Sequence, residues 1–270
     1  MLILYHKIST IKIKLTRLLA YILMNIVQIT DLHIVKDKEG KINNFNTFQA
    51  ASEVVKHVAK HQKNIDYLIL TGDISDDGTP ESYENLREIL SPVEQKVFVM
   101  PGNHDSLENL NNFRNSISKD NKFLIEDSEW IIFMFDTKKH NSPNGQLKSD
   151  EIESCIHMID KNPQKNVIMF LHHHPIMIGS ASMDKMIIEN AYLLLDIVKN
   201  NGRVKGVFWG HIHNVYESKL NQALLLSTPS TCFQSLPKSK TFTIDGNAKP
   251  GYRVIRLNEA GLVSTEVVRI

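Results

Sequence analysis

Short runs of apolar residues, each followed by polar residues, recur along the chain. The runs are rich in isoleucine, valine, leucine and phenylalanine, a composition typical of buried β-strands. Five of the predicted strands lead within three residues to Asp, His or Asn, and they cover residues 26–30, 67–70, 97–100, 167–171 and 204–209. Other apolar runs predict strands at residues 131–135, 224–226, 241–244, 252–255 and 262–270.

Helical patterns lie between these strands. An apolar stripe of three valines predicts a helix over residues 45–61. Thr79 as N-cap and Pro80 at the first helical position predict the start of a second helix. Because βα units come first and antiparallel-looking strands last, we predict an α/β fold with two mixed sheets packed face to face and helices outside. Three more helices are predicted from about residue 106, over 150–160 and over 184–199.

Composition limits the number of domains. The chain has 270 residues, of which 42% are hydrophobic, enough for one sizeable core. We therefore expect residues 24–270 to form a single domain. Residues 1–23 mix basic and apolar residues and lack the roughly 20 apolar residues of a bilayer span. They are expected to be an N-terminal extension, or to precede a true translation start at Met24.

Charge and cysteine content narrow the classes of function. The formal net charge is +1 at pH 7 and no basic cluster stands out, which argues against a nucleic-acid partner. Cys155 and Cys232 are too few for a disulfide framework or a cysteine-based zinc site. We predict that both are reduced, small buried residues in a cytoplasmic protein without a membrane partner. The oligomeric state stays open.

The polar residues after the five strand ends form the candidate site. In open α/β sheets, ligands bind at the carboxyl ends of the strands. Nitrogen and oxygen donors without thiolate suit divalent Mn, Fe or Zn, and seven candidates are too many for one ion but fit two. In an extended segment, residues i and i+2 point the same way, so both side chains of the Asp-x-His pair, and both of the His-x-His pair, can face one site. The candidate ligands are Asp31, His33, Asp73, Asn103, His172, His211 and His213.

These motifs together favour hydrolytic chemistry. Asp-x-His or Gly-Asp after a strand carries little information alone, whereas five such motifs in one order, each after an apolar strand, are specific. Two metal ions that share a hydroxide can provide a nucleophile near neutral pH and neutralise phosphoryl oxygens. The residues therefore predict metal-assisted hydrolysis of a phosphoester.

The ordered set of motifs resembles the calcineurin-like metallophosphoesterase superfamily over residues 25–270. The resemblance implies a four-layer α/β/β/α sandwich. Within the superfamily, five stretches are similar to the bacterial class III 3′,5′-cyclic-AMP phosphodiesterases, namely residues 72–83, 171–175, 210–213, 227–234 and 250–253.

The resemblance also implies how the ligands are divided between two divalent ions. His172 is preferred over His173 and His174 as a ligand because it is the first of the three after the strand. The bridging ligand would be Asp73. One ion would be held by Asp31, His33, Asp73 and His213, and the other by Asp73, Asn103, His172 and His211.

Further roles follow from the same resemblance. His104 would be an unligated imidazole beside the phosphate that assists the leaving group. Asp105 is expected to orient His104 or to fix its loop, and residues 228–232 to brace the site or to line it. The implied substrate-binding residues are His33, Asn103, His104 and His173.

The implied function is hydrolysis of 3′,5′-cyclic AMP, a small-molecule cyclic nucleotide, to 5′-AMP. The metal cluster alone does not choose a leaving group, so a broader phosphodiesterase or phosphomonoesterase acting on 2′,3′-cyclic nucleotides or glycerophosphodiesters is the alternative. A non-catalytic scaffold on the same fold would lack ligands, and none is missing here. A nuclease is disfavoured because the near-neutral charge gives little attraction to a polyanion.

Overall fold

The structure is a computed structural model that describes residues 22–117 and 123–270. Its helices are α1 (Thr47–His61), α2 (Pro80–Leu90), α3 (Leu107–Ile117), α4 (Ser149–Lys161) and α5 (Tyr192–Asn200), and a 3₁₀ turn covers Met183–Lys185. Its strands are β1 (Ile22–Ile29), β2 (Lys41–Ile42), β3 (Phe45–Asn46), β4 (Tyr67–Thr71), β5 (Lys96–Met100), β6 (Leu124–Glu126), β7 (Trp130–Met134), β8 (Asn166–Phe170), β9 (Val204–Trp209), β10 (Glu217–Leu220), β11 (Ala223–Ser227), β12 (Gly251–Asn258) and β13 (Val263–Arg269).

Two mixed sheets contain most of the strands. The first has the order β13-β12-β1-β4-β5, in which β1, β4 and β5 are parallel. The second has the order β10-β11-β9-β8-β7-β6, in which β7, β8, β9 and β11 are parallel. The carboxyl ends of β1, β4 and β5 therefore share one edge of the first sheet, and those of β8 and β9 share one edge of the second.

Three layers of apolar side chains hold the sandwich together. Ile26 and Phe98 of the first sheet pack against Ile132 and Phe208 of the second, between the sheets. One outer cluster packs helices α1, α2 and α3 against the first sheet, and another packs α4 and α5 against the second. The central strands β1, β4, β7, β8 and β9 are largely buried on both faces, which explains their continuous apolar sequences. The predicted four-layer α/β/β/α sandwich is confirmed.

Capping residues define the helix starts. The Asn46 side chain accepts a hydrogen bond from the Gln49 amide at 2.9 Å, and α1 begins at Thr47 rather than at the predicted Phe45. Phe45 instead pairs with Ile42 in a two-stranded hairpin. Thr79 caps α2 as predicted, accepting from the Ser82 amide at 3.3 Å.

One predicted helix starts later than expected, and one predicted strand is wrong. The helix expected over 184–199 begins only at Tyr192, because the preceding backbone bonds elsewhere: the Ile188 amide donates to the His174 carbonyl and the Glu189 amide to the Gly145 carbonyl. The segment 241–244, expected to be a strand, is irregular, and only Ile244 forms a bridge, with Ser235.

The start of the fold lies close to the predicted boundary. Residues 1–21 of the predicted extension lie outside the described residues, and β1 begins at Ile22, two residues inside that extension. Met24 is buried and pairs with Leu257. Within the described ranges, no helix has both the length and the apolar composition needed to cross a bilayer. Both cysteines are free and buried, while the cytoplasmic location stays a prediction.

Candidate metal centre

The carboxyl ends of five strands bring the predicted ligands to one rim. Asp31 and His33 follow β1, Asp73 follows β4 and Asn103 follows β5. From the second sheet, His172 follows β8, and His211 and His213 follow β9. Backbone bonds lock neighbouring loops together: the Asp31 amide donates to the Gly72 carbonyl at 3.0 Å, and the Gly210 amide to the His172 carbonyl at 3.2 Å.

The ligand loops have an unusual backbone. The φ angles of Asp31, His33, Asp73, His211 and His213 lie between 48° and 66°. This left-handed region is costly for residues with a Cβ, and such residues concentrate at functional sites. The prediction that the two i, i+2 pairs lie in extended segments is therefore wrong, although both members of each pair face the cluster.

The two sheets approach closely at this rim. A Cβ on Gly210 would lie 2.0 Å from Thr30 Oγ1, so no larger residue fits there. The Asp31 carboxylate accepts the His211 amide at 2.9 and 3.0 Å. Fully buried Gln28 donates to Thr71 Oγ1 of its own sheet at 2.9 Å and to the Trp209 carbonyl of the other sheet at 3.3 Å. These bonds fix the position of the second-sheet histidines relative to the first-sheet carboxylates.

The first group of donors contains Asp31, His33 and His213. The Nδ1 atoms of the two histidines contact acceptor oxygens, at 2.8 Å from Asp76 Oδ1 and 2.9 Å from the Phe233 carbonyl. In the neutral rings the protons therefore reside on Nδ1 and the Nε2 lone pairs are free. These Nε2 atoms lie only 3.0 Å apart, and Asp31 Oδ1 is 3.4 Å from that of His213.

The second group is centred on His172. Its Nδ1 donates to the Thr71 carbonyl at 2.8 Å, which directs Nε2 towards Asp73 Oδ2 at 3.3 Å and Asn103 Oδ1 at 3.1 Å. The His211 ring lies beside it, with ring centroids 5.0 Å apart. Asp73 Oδ2 is also 3.7 Å from His33 Nε2, so this carboxylate lies between the two groups.

This donor set fits divalent metal ions. Nitrogen and oxygen donors converge in both groups, and a bound metal ion would satisfy the lone pairs that face one another there. Imidazole, carboxylate and amide donors, with the imidazole tautomers fixed by hydrogen bonds at Nδ1, suit divalent metal ions.

The pKa values show where protons occupy the cluster. Burial raises the pKa of Asp31 to about 6. Burial alone would lower the pKa of His172, but the Asp73 carboxylate reverses this and raises it to about 9. Burial and the neighbouring His33 lower the pKa of His213 to about 3. A protonated His172 can donate from Nε2 to Asp73, and binding of a metal ion by His172 would require the loss of that proton.

His104 is the exposed member of the cluster. Its side chain is 41% exposed and its Nδ1 lies 3.3 Å from Asp76 Oδ1, the same oxygen that holds His33. Sequence reasoning missed Asp76, whose only signal was its place three residues after Asp73. Asp105 fixes the loop: it accepts the Ser75 and Gly102 amides at 3.0 and 2.8 Å and the Tyr83 hydroxyl at 3.0 Å.

The other two histidines of the triple are buried, and His173 offers a ligand atom within 4.8 Å of those of His172 and His211. His173 is fully buried, its Nδ1 contacts Thr137 Oγ1 at 2.8 Å, and its ring is 4.7 Å from that of His211. It does not line the cleft, which disfavours the predicted substrate contact. His174 is fully buried as well, and its ring stacks on His211 at 5.7 Å.

The segment 228–232 braces the site. The Ser230 hydroxyl donates to the Asp31 carbonyl at 2.7 Å, and the Thr231 amide donates to the Thr30 carbonyl at 3.1 Å. The Thr228 hydroxyl donates to Gln28 Oε1 at 2.6 Å. None of these residues lines the cleft.

A cleft of about 370 Å³ opens above the two groups. The sequence did not predict the apolar side chains of this cleft, because two of the segments that contribute them were predicted as a helix over 184–199 and a strand over 241–244. Its polar lining residues are His33, Asn43, Asp73, Asp76, Asn103, His104, His211 and His213, and its apolar ones are Ile42, Met183, Met186, Phe233 and Phe242.

Comparison with known proteins agrees with this geometry. The family model for calcineurin-like phosphoesterases matches residues 24–215. The chain is 32% identical to the 3′,5′-cyclic adenosine monophosphate phosphodiesterase CpdA of Vibrio vulnificus over 248 residues, which cover 92% of this chain and 90% of that protein. It is 30% identical over 250 residues to a 3′,5′-cyclic-nucleotide phosphodiesterase of Nostoc sp., covering 92% of each.

A solved structure supports the same fold. The dimetal phosphatase from Danio rerio superposes with a TM-score of 0.65 at 14% identity, covering 92% of this chain and 99% of that one. At this identity the structural similarity concerns the fold alone. The family membership rests on the family model and on the relatives of 30% identity or more. The chain belongs to the calcineurin-like phosphoesterase family.

Proposed function

We propose that the protein is a dinuclear-metal phosphodiesterase that hydrolyses 3′,5′-cyclic AMP to 5′-AMP. The observation that carries the chemistry is the clustering of strand-end aspartate and histidine donors, with Asp73 Oδ2 within 3.7 Å of the Nε2 atoms of both His33 and His172. The substrate rests on relatives named as cyclic-AMP phosphodiesterases, which are 30–32% identical over about nine-tenths of the chain.

The two ions are assigned to the two groups of donors. Asp73 contributes to both, and Fe, Mn and Zn all suit nitrogen and oxygen donors. When bound, such ions neutralise phosphoryl oxygens and activate water for attack. The proposed ligands are Asp31, His33, Asp73 and His213 for one ion, and Asp73, Asn103, His172 and His211 for the other.

His104 is proposed to protonate the leaving 3′ oxygen. Its Nδ1 lies 3.3 Å from Asp76, which orients the ring and leaves Nε2 for the substrate. An alkoxide leaves poorly without a proton, and a positioned acid contributes about 10²–10⁴-fold to rate. His33 and Asn103, which line the cleft beside His104, would contact the same phosphate.

A substrate panel on metal-reconstituted protein tests this proposal. The panel compares kcat/KM for 3′,5′-cyclic AMP, 3′,5′-cyclic GMP, a 2′,3′-cyclic nucleotide, a glycerophosphodiester and a phosphomonoester at one metal concentration. Asp73→Ala, purified identically, controls for contaminating phosphodiesterases. We expect 3′,5′-cyclic AMP to be cleaved with release of 5′-AMP. If it is not cleaved, or if the monoester or glycerophosphodiester is preferred by more than about tenfold, the broader phosphoesterase function replaces this one.

A further inference from the structure

One side of the cleft takes no part in the metal chemistry. Its five apolar side chains come from three separate segments: the β2–β3 hairpin, the loop around the 3₁₀ turn, and residues 233–242. Phe233 and Phe242 lie beside His213, a donor of the first group. A cleft lined both by metal donors and by apolar side chains suits a ligand that joins a charged group to an apolar one, and its volume of about 370 Å³ is that of a small-molecule site.

Phe242 is the unusual member of this apolar side. Phe233 is 3% exposed and stacks on His213, with ring centroids 4.6 Å apart and planes 22° apart. Phe242 stands at 88° to both rings, 6.2 Å from Phe233 and 5.9 Å from His213, yet its side chain is 42% exposed. An aromatic ring is thus held at the cleft with much of its surface in water.

The Phe242 segment is anchored, so the ring has a defined position. The Leu236 amide donates to the Thr243 carbonyl at 2.7 Å, and the Asp245 amide donates to the Gln234 carbonyl at 2.9 Å. The Ser180 hydroxyl donates to the Ser239 carbonyl at 3.0 Å, joining this segment to the loop that carries Met183 and Met186. The apolar wall is therefore formed before any ligand arrives, which reduces the entropic cost of binding.

We propose that this wall binds the nucleobase of the substrate, with Phe242 as its stacking platform. The inference rests on the proposed function, because a cyclic nucleotide joins a phosphate to a flat aromatic base. Every base has a π-face, and stacking on an aromatic side chain tolerates differences between bases. None of the five apolar side chains can form an ion pair or a hydrogen-bond network with the edge of a base. The wall accordingly distinguishes nucleotides from aliphatic phosphodiesters more strongly than it distinguishes adenine from guanine.

Two probes that differ only in the base test the proposal directly. 5′-AMP and ribose 5-phosphate share the sugar phosphate, and calorimetry measures the binding of each to the metal-reconstituted protein. We expect the wild type to bind 5′-AMP more tightly. Phe242→Ala should weaken 5′-AMP binding about 5- to 150-fold and leave ribose 5-phosphate binding unchanged. Phe242→Tyr, which keeps the ring, should retain tight binding. Leu236→Ala serves as the control, because Leu236 is 46% exposed on the same segment but outside the cleft lining.

Each other outcome has a definite meaning. Equal affinity of the wild type for the two probes, or a loss below about twofold in Phe242→Ala, overturns the base site. An equal loss for both probes shows damage to the phosphate end and also overturns it. Because binding is measured without turnover, failure of the proposed function appears separately, as absence of cyclic-AMP hydrolysis by the wild type.

Discussion

The two sheets contribute different chemistry to the rim where they meet. The loops of the first sheet carry the carboxylates Asp31, Asp73, Asp76 and Asp105, together with an amide and two imidazoles. The loops after β8 and β9 contribute imidazoles to the cluster, and burial is the largest cause that lowers the pKa of His173, His174, His211 and His213. The loop after β8 also carries Asp184, 3.9 Å from His174 Nε2. One sheet thus provides negative charge and the other mainly neutral donors. Each proposed ion needs ligands from both.

A carboxylate on the second sheet shows how the separation is kept. Asp136 follows β7, at the same rim, but its carboxylate forms an ion pair with Lys148 instead of turning to the metal donors. Lys148 also lies 3.7 Å from Glu151. Asp136 and Glu151 thus lie beside Lys148, whereas the carboxylates that contact His172 and His213 are Asp73 and Asp31 of the first-sheet loops.

The largest expected effect is that of Asp73→Ala, which removes the carboxylate between the two groups. We expect both ions to be lost together and turnover to fall on the order of 10⁴-fold or more, because a metal ion supplies several kcal/mol of charge stabilisation. Asp31→Ala should weaken mainly one ion. Elemental analysis and kcat/KM are measured for each, with exposed Asp196→Ala as control. Two tightly bound ions and normal turnover in Asp73→Ala would refute the bridging role.

A smaller effect is expected from His104→Ala, since His104 belongs to the first sheet but is proposed to bind no metal. Turnover of 3′,5′-cyclic AMP should fall about 10²-fold with metal content unchanged. A nitrophenyl ester, whose leaving group needs no proton, should lose less. His157→Ala, at an exposed helix position, is the matched control. Equal losses on both substrates would assign His104 to phosphate binding instead.

The smallest effect is expected at Glu151, which lies beside Lys148 near the second sheet. Burial raises the pKa of Glu151 to about 7, although the positive charge of Lys148 acts to lower it. The folded state therefore holds the proton more tightly than the unfolded state, and this stabilisation is lost as pH rises through about 7. Glu151→Gln should raise the free energy of unfolding at pH 8 by about 1 kcal/mol, a value reduced for partial exposure, and change it little at pH 5.

Guanidinium unfolding at the two pH values measures the Glu151 effect. Exposed Glu153→Gln on the same helix is the control. A pH-independent difference between Glu151→Gln and wild type would mean that the carboxyl is not held neutral by its surroundings.

Much of this architecture was predictable because strands buried on both faces appear as continuous apolar runs, and the donors follow directly after them. Asp76 was not predictable as a partner of His33, since 43 residues separate the two and the contact depends on tertiary structure. The positive φ angles of Asp31 and His213 could not be predicted from the sequence either.

The late start of the helix predicted over 184–199 and the wrong strand over 241–244 have a common physical reason. Residues around Met186 and Phe242 are apolar because they line a cleft, and an apolar pattern alone does not distinguish a surface that faces a ligand from one that faces the core. Both segments were consequently assigned to packed secondary structure.

The most direct test of the central claim, that the two sheets together hold two catalytic ions, is a metal titration of chelator-treated protein. Bound metal and hydrolysis of 3′,5′-cyclic AMP are followed together as Mn²⁺ is added. Activity absent after chelation and restored at two tightly bound ions per chain is the predicted result. Full activity with one ion per chain, or activity that survives exhaustive removal of metal, would contradict it.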